Sequence, residues 1–447
     1  ESMSKFLIKN ADIGNLDDLS VSTKDIYIED GFFKKIGKIS PSECPGATII
    51  DAHNMLALPG FVDCHSHVYQ TFIKGPLDDL VITEWLVRLF TFEQDMDDED
   101  YYYATLLSCL SALRFGTTTI NEMGGHEHMD ATLQAFEDAG IRVTYGISTT
   151  DIPENEVTPI LSIDEALKLS QEVYDKAHGR NNGLMRASVA PAGLPAVSKD
   201  MAINLKKFAN DKGLVYHTHL GEGKMETENV AKAYGTNGEG EALASLGILD
   251  KHTLLAHSIW LSDHEIDLIK ESGAVPVHCP NTNMKISDGI PKIAQMLKKG
   301  IPVAIGCDGE ASSATKDMIR EAKAGSYLQK AVTLDPTVMD ASTTFKMMTI
   351  NGARALGYED LGEIKEGNQA DLILVNMEDD FSLTDRDHRI GNLLYAGTGH
   401  AVDTVFVRGQ LKLRNKHIQG FDEQFIIRKC NDLIHRLNVK TGYVRED

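Results

Sequence analysis

Two imidazoles, His65 and His67, stand two residues apart in LPGFVDCHSHVYQTFIKG, behind a short apolar run. His219 in LVYHTHLGE, His257 in TLLAHSIWL and Asp308 in VAIGCDGEASS each follow an apolar stretch of strand-like composition. Side chains two apart on an extended segment share a face, so His65 and His67 point into one space. A lone histidine is more often a hydrogen-bonded structural residue than a ligand. Five such groups at the ends of apolar runs are harder to explain that way. Three imidazoles and a carboxylate suit Zn2+, with Fe2+ also acceptable, and leave one position for water.

Such a set needs a scaffold that gathers strand ends. Short apolar runs near 57–63, 117–122, 142–148, 184–190, 214–219, 253–257, 274–278 and 302–308 read as strands. Helical patterns alternate with them, among them DEDYYYATLLSCLSALRFG, SIDEALKLSQEVYDKAHG and SDHEIDLIKESG, several closed by the glycine expected of a helix end. This alternation predicts an α/β fold, a (β/α)8 TIM barrel, whose active face lies at the carboxyl ends of its strands. All five candidate residues fall at such ends. The first ~55 residues and the stretch after Ala355 carry strand texture instead, with an EDG hairpin signal, and predict a small β-sandwich domain formed from both chain ends. The expected partition is 1–57 and 361–447 for that domain, including a final helix, and 58–360 for the barrel.

The 447 residues are 42% hydrophobic, enough for a large core, and the net charge is -22. That balance argues against nucleic-acid and membrane-surface partners and favours a small neutral or cationic substrate. Six scattered cysteines without a CxxC pair read as reduced thiols. No apolar run is long enough to span a bilayer, and the opening ESMSKFLIKN has no leader pattern, so a cytoplasmic enzyme is expected. Homo-oligomerisation is left open.

The segments PGFVDCHSH, HTHLGE, LLAHSIWL, VHCPNTNMKI and GCDGEASS, in this order, resemble the amidohydrolase superfamily. The branch resembled holds cytosine and guanine deaminases, adenosylhomocysteine/methylthioadenosine deaminases and triazine hydrolases. The resemblance implies that His65, His67, His219 and Asp308 bind one divalent ion, with His257 beside the bound water. Asp308 then also acts as base, and Glu222, in HLGE, matches the proton-shuttling carboxylate. Dinuclear members need a bridging lysine at the end of the fourth strand; SVAPAGLPAVS has none, which favours a single metal.

The implied reaction is release of ammonia from an aminated N-heterocycle (purine, pterin, pyrimidine or triazine) by hydroxide generated at the metal. The alternatives are a triazine hydrolase displacing chloride or an alkylamine, and a nucleoside deaminase of the adenosylhomocysteine/methylthioadenosine type. Gln70, Trp85, Glu93 and His278 are the candidate substrate contacts, with Asn283 either facing the site or tying down a loop. Glu93 aligns with a ribose-binding carboxylate, although as a bare residue it reads as an exposed glutamate at a helix start. Two departures count against adenosylhomocysteine: APAGLP lacks the histidine of those deaminases, and RVTYGISTTD lacks their arginine. Glu310, unusual in its motif, is expected either at the mouth, favouring a cationic substrate, or in solvent.

Overall fold

The computed structural model describes residues 4–444; the first residues of the opening ESMSKFLIKN lie outside them. Eight parallel strand segments run in sequence around a ring: β1 (Phe61–Ser66), β2 (Thr117–Gly124), β3 (Arg142–Thr149), β4 (Met185–Ala187, continued by Ala190–Pro191), β5 (Tyr216–Leu220), β6 (Thr253–His257), β7 (Val275–His278) and β8 (Ala304–Ile305). β1 to β4 pair in one parallel sheet and β5 to β8 in another. One seam closes through a parallel bridge between Val189 and Tyr216. The other closes where the Asp308 amide donates to the His65 carbonyl at 2.7 Å. A side chain at 306 would stand 2.7 Å from the His65 backbone nitrogen, so glycine there lets β8 close on β1.

The helices follow from local signals. Ser162, Ser198 and Ser262 accept a backbone N–H of the first turn of the helices Ile163–Ala177, Lys199–Lys212 and Asp263–Ser272. Gly140, Gly213 and Gly273 end helices in the left-handed conformation, as the sequence signals predicted. Ile82–Asp95, which carries Trp85 and Glu93, is a helix that the alternating pattern did not single out.

Both chain ends build one nine-stranded sheet. Met55–Pro59 joins the ends, pairing parallel with Phe6–Gly14 and antiparallel with Leu372–Asn376. The sheet folds over its own core: the rings of Phe6 and Phe406, from strands well apart in the strand order, meet at 5.0 Å. The EDG signal is a tight hairpin, with Asp30 and Gly31 both at positive φ between Val21–Glu29 and Phe32–Gly37. A buried ion pair, Arg142 to Asp371 at 2.9 Å, ties β3 to the segment entering this sheet. The six cysteines are free and buried, and among the described residues no helix is long and apolar enough to cross a membrane.

Candidate active site

His65 ends its run in β1 and His67 begins the short turn Val68–Ile73 that follows. His219 lies near the end of β5, His257 closes β6, and Asp308 follows β8. The ring thus brings residues more than 240 positions apart to one face. His65 Nε2 lies 3.2 Å and His67 Nε2 3.3 Å from Asp308 Oδ1, and His257 Nε2 lies 3.4 Å from Asp308 Oδ2. The donor atoms of His65, His67 and His219 fall within 4.8 Å of one another, as do those of His65, His257 and Asp308.

Each imidazole is oriented from behind. His67 Nδ1–H donates to the Met123 carbonyl at 2.8 Å, and His219 Nδ1–H to that of Ala192 at 2.6 Å. His257 Nδ1–H donates to Asn283 Oδ1 at 2.9 Å. His65 Nδ1 meets Nε2 of His217 at 2.7 Å. The Nε2 atoms of His67, His219 and His257 are therefore left bare toward the centre, the arrangement that outer partners impose on metal-ligating histidines. His65 Nε2 and His257 Nε2 are buried without a hydrogen-bond partner, a costly state that a bound cation relieves. A divalent ion fits this donor set.

The electrostatics agree. Burial pushes the His67 imidazole down to about 4 and that of His65 well below its usual value, so both are neutral, the form that ligates. Burial alone would raise the Asp308 carboxyl, but the imidazoles of His65, His257 and His67 hold it well below the carboxylate range. Burial works against charge on His257 as well, yet Glu222 and Asp308 raise its pKa. Glu222 Oε1 stands 3.4 Å from His257 Nε2, on the side that opens to the cavity.

Beneath the ion site lies a layer that sequence reading did not pick out. Lys316, fully buried, contacts Ser66 Oγ, donates to the Asp308 carbonyl at 3.0 Å and lies 3.5 Å from Asp63. Glu122, at the end of β2, accepts the Val68 N–H on both oxygens, at 3.1 and 3.0 Å, and so holds the turn that carries His67. His217 could have been found: HTH repeats the spacing of HSH, and the same alternation puts His217 and His219 on one face. Asp288 had no such signal. Burial and then Glu222 push its carboxyl up to about 10, leaving it protonated beside Glu222.

The cavity above these groups is walled by Trp85, Leu86, Leu89 and Phe90, with Gln70 at its floor. Gln70 and Trp85 therefore line it, and Gln70 Oε1 and Trp85 Nε1 are buried without partners. Glu93 is not an exposed residue at a helix start. It sits buried in the last turn of Ile82–Asp95 and accepts from His126 Nδ1 at 2.9 Å, in a second compartment that shares Phe90, His126 and Thr158 with the first. His278 is buried at the end of β7 and is not among the lining residues. Asn283 lies in the short helix Pro280–Lys285 and reaches the site through His257. Glu310 is neither at the mouth nor in solvent: it is buried, accepting from Ser108 at 3.2 Å with Lys74 at 3.6 Å. Cys64, Cys279 and Cys307 pack in the core.

The family model described as "Amidohydrolase family" matches residues 56–412, which span the whole ring. The chain belongs to the amidohydrolase family. Over 95% of its length this amidohydrolase is 32% identical to a 5-methylthioadenosine/S-adenosylhomocysteine deaminase of Pyrococcus furiosus, covering 98% of that protein. It is 33% identical to a 5'-deoxyadenosine deaminase of Methanosphaera stadtmanae, over 90% of this chain and 93% of that one. Among solved structures, the zinc-bound adenosine deaminase of Xanthomonas campestris superimposes with a TM-score of 0.90, at 26% identity, over 98% of this chain and 99% of that one. The amidohydrolase is thus an enzyme of a group that hydrolyses C–N bonds, and its relatives are deaminases.

Proposed function

We propose that this amidohydrolase releases ammonia from the aminated purine ring of a nucleoside, with one zinc ion held by His65, His67, His219 and Asp308. The observation that carries the reading is the placement of two acids about one imidazole. Asp308 Oδ2 and Glu222 Oε1 each lie 3.4 Å from His257 Nε2, one below the reacting position and one facing the cavity. A divalent ion bound there lowers the pKa of water from 15.7 to about 7 and so supplies a nucleophile at neutral pH. Asp308 takes the proton from the attacking water, and His257 holds that water by a hydrogen bond. Glu222 delivers a proton to the ring nitrogen beside the attacked carbon; the proton taken by Asp308 then goes to the amine, the C–N bond breaks as the new hydroxyl returns its proton to Glu222 and becomes a carbonyl, and ammonia leaves. Trp85 and its apolar neighbours form a wall for a flat ring, and the Gln70 amide offers both a donor and an acceptor to ring edges.

Two observations favour a nucleoside over a free base. The relatives are named for adenosine-type nucleosides, and the second compartment extends the ring cavity past Phe90 to the buried carboxylate of Glu93. The test is ammonia release by the zinc-loaded protein on 5'-deoxyadenosine and methylthioadenosine against guanine, a pterin, cytosine and an aminotriazine, with elemental analysis of the same sample. Higher kcat/KM on the free bases would replace the nucleoside reading with the base-deaminase one; release of chloride from a chlorotriazine would select the other alternative.

A further inference from the structure

The two joined compartments are acidic far beyond the catalytic pair. Glu154 and Glu226 line the first, and Glu93, Glu127 and Glu156 line the second; neither is lined by a lysine or arginine among the described residues. The lysines on nearby turns are engaged elsewhere. Lys74 faces Glu310, Lys285 pairs with Asp78 at 2.8 Å, and Lys224 lies over the Trp260 ring at 5.6 Å. Several lining groups await a ligand. Glu93 is only 8% exposed, yet its Oε2 has no hydrogen-bond partner, and Gln70 Oε1 and Trp85 Nε1 are buried and unpartnered in the adjoining cavity. An unpaired buried carboxylate oxygen accepts hydrogen bonds and donates none, so it welcomes hydroxyl or ammonium donors and repels another carboxylate. The net charge of -22 adds a long-range field of the same sign.

We propose that the joined compartments select nucleosides whose 5' substituent is uncharged or ends in an ammonium, and disfavour those that carry a carboxylate or phosphate. The inference rests on the nucleoside reading above and names the substrate class within it. A substrate carboxylate would enter without a lysine or arginine partner, among carboxylates of its own sign. Like-charge juxtaposition in a partly desolvated site costs more than a decade of affinity, so the expected penalty in kcat/KM is about tenfold or more.

The test compares three 5'-thioether adenosines of similar length, ending in methyl, in a primary amine and in a carboxylate, on the zinc-loaded protein. The amine and methyl compounds are expected to be turned over with comparable kcat/KM, and the carboxylate at least about tenfold more slowly. Salt screens exposed charges, so raising it from ~20 mM to ~500 mM should narrow the gap, as should the double variant Glu154→Gln/Glu226→Gln. Equal or faster turnover of the carboxylate compound overturns this inference and leaves the nucleoside reading intact. Turnover of none of the three, alongside release of ammonia from free bases, overturns both.

Discussion

Glu222→Gln is the substitution that separates chemistry from metal binding. The amide keeps the shape of the side chain and its reach to His257, at 3.4 Å from Nε2. It cannot deliver a proton to the ring nitrogen or take one from the new hydroxyl. A positioned general acid and base contributes about 10²–10⁴-fold, so kcat/KM should fall by that factor, or about 2.7–5.4 kcal/mol of transition-state stabilisation. The four proposed ligands are untouched, so zinc content and thermal midpoint should stay at wild-type values. The measurement is steady-state ammonia release, with elemental analysis and a melting curve on the same preparation. A second arrangement competes, because His219, Glu222 and His257 also bring their donor atoms within 4.8 Å. Were that trio the ion site, the amide would cost metal as well as turnover. Wild-type-like kcat/KM in a fully loaded variant refutes the proton shuttle; parallel loss of metal and activity makes Glu222 a ligand instead.

Stripping divalent ions with a chelator should abolish turnover and lower the melting midpoint, and adding Zn2+ should restore both; activity that survives complete removal of metal would end the metal-dependent reading. Asn283→Ala frees the His257 ring from its hydrogen bond behind the site, and outer partners of this kind are worth about 10–100-fold, so kcat should drop by that much with zinc retained. Unchanged kcat would show that packing alone holds the ring. Glu239 is buried against Thr227 Oγ1 and the Gly221 amide, and burial raises its carboxyl from 4.5 to about 7. Between those values the unfolded chain loses this proton while the folded protein keeps it, so stability falls as pH rises, by about 3 kcal/mol in all above pH 7. Glu239→Gln should therefore be the more stable protein at pH 8 and lose that advantage at pH 4, read by urea denaturation at both; the same difference at both pH values contradicts a raised carboxyl.

The candidate metal group was legible because its signal is local. Each ligand follows a strand-like run, and alternation fixes which residues share a face, so HSH and the isolated histidine and aspartate could be placed before any contact was known. Glu222 and His257 followed from motif order. What stayed hidden depends on tertiary burial. Lys316 is a lysine in an unremarkable stretch, ATKDMIR, and nothing in that stretch reports that its ammonium lies buried under Asp308. Asp288, in ISDGIP, looks like a turn residue until its carboxyl is found beside Glu222. Glu93 was misread because Ile82–Asp95 lies in the connection after β1, where the ring pattern predicts only a loop. His217 was the avoidable omission, since the spacing argument used for the first strand applies equally to the fifth.

The two proposed catalytic carboxylates differ in surroundings, and that difference supports the proposed direction of proton flow. Asp308 is almost wholly buried, receives the Gly309 amide at 2.8 Å and is ringed by imidazoles that keep it ionised. Its backbone sits at φ 61° and that of His257 at φ 75°, left-handed positions that cost non-glycine residues on the order of 1 kcal/mol each. The structure holds them there by the Asp308 N–H bond to His65 and the His257 bond to Asn283. A carboxylate held in its charged form is present as a proton acceptor at neutral pH. Glu222 is half-exposed on the cavity wall, with His257 Nε2 at 3.4 Å and the carboxyl of Asp288 beside it. It faces whatever occupies the cavity. Paired acids in unlike environments divide the labour in this way: Asp308 as the base beneath the nucleophile, Glu222 as the donor above the ring. An Asp308→Glu variant would lengthen the buried arm, and an Asp288→Asn variant would keep a hydrogen-bond donor beside Glu222. The first should cost far more turnover than the second if the roles are so divided.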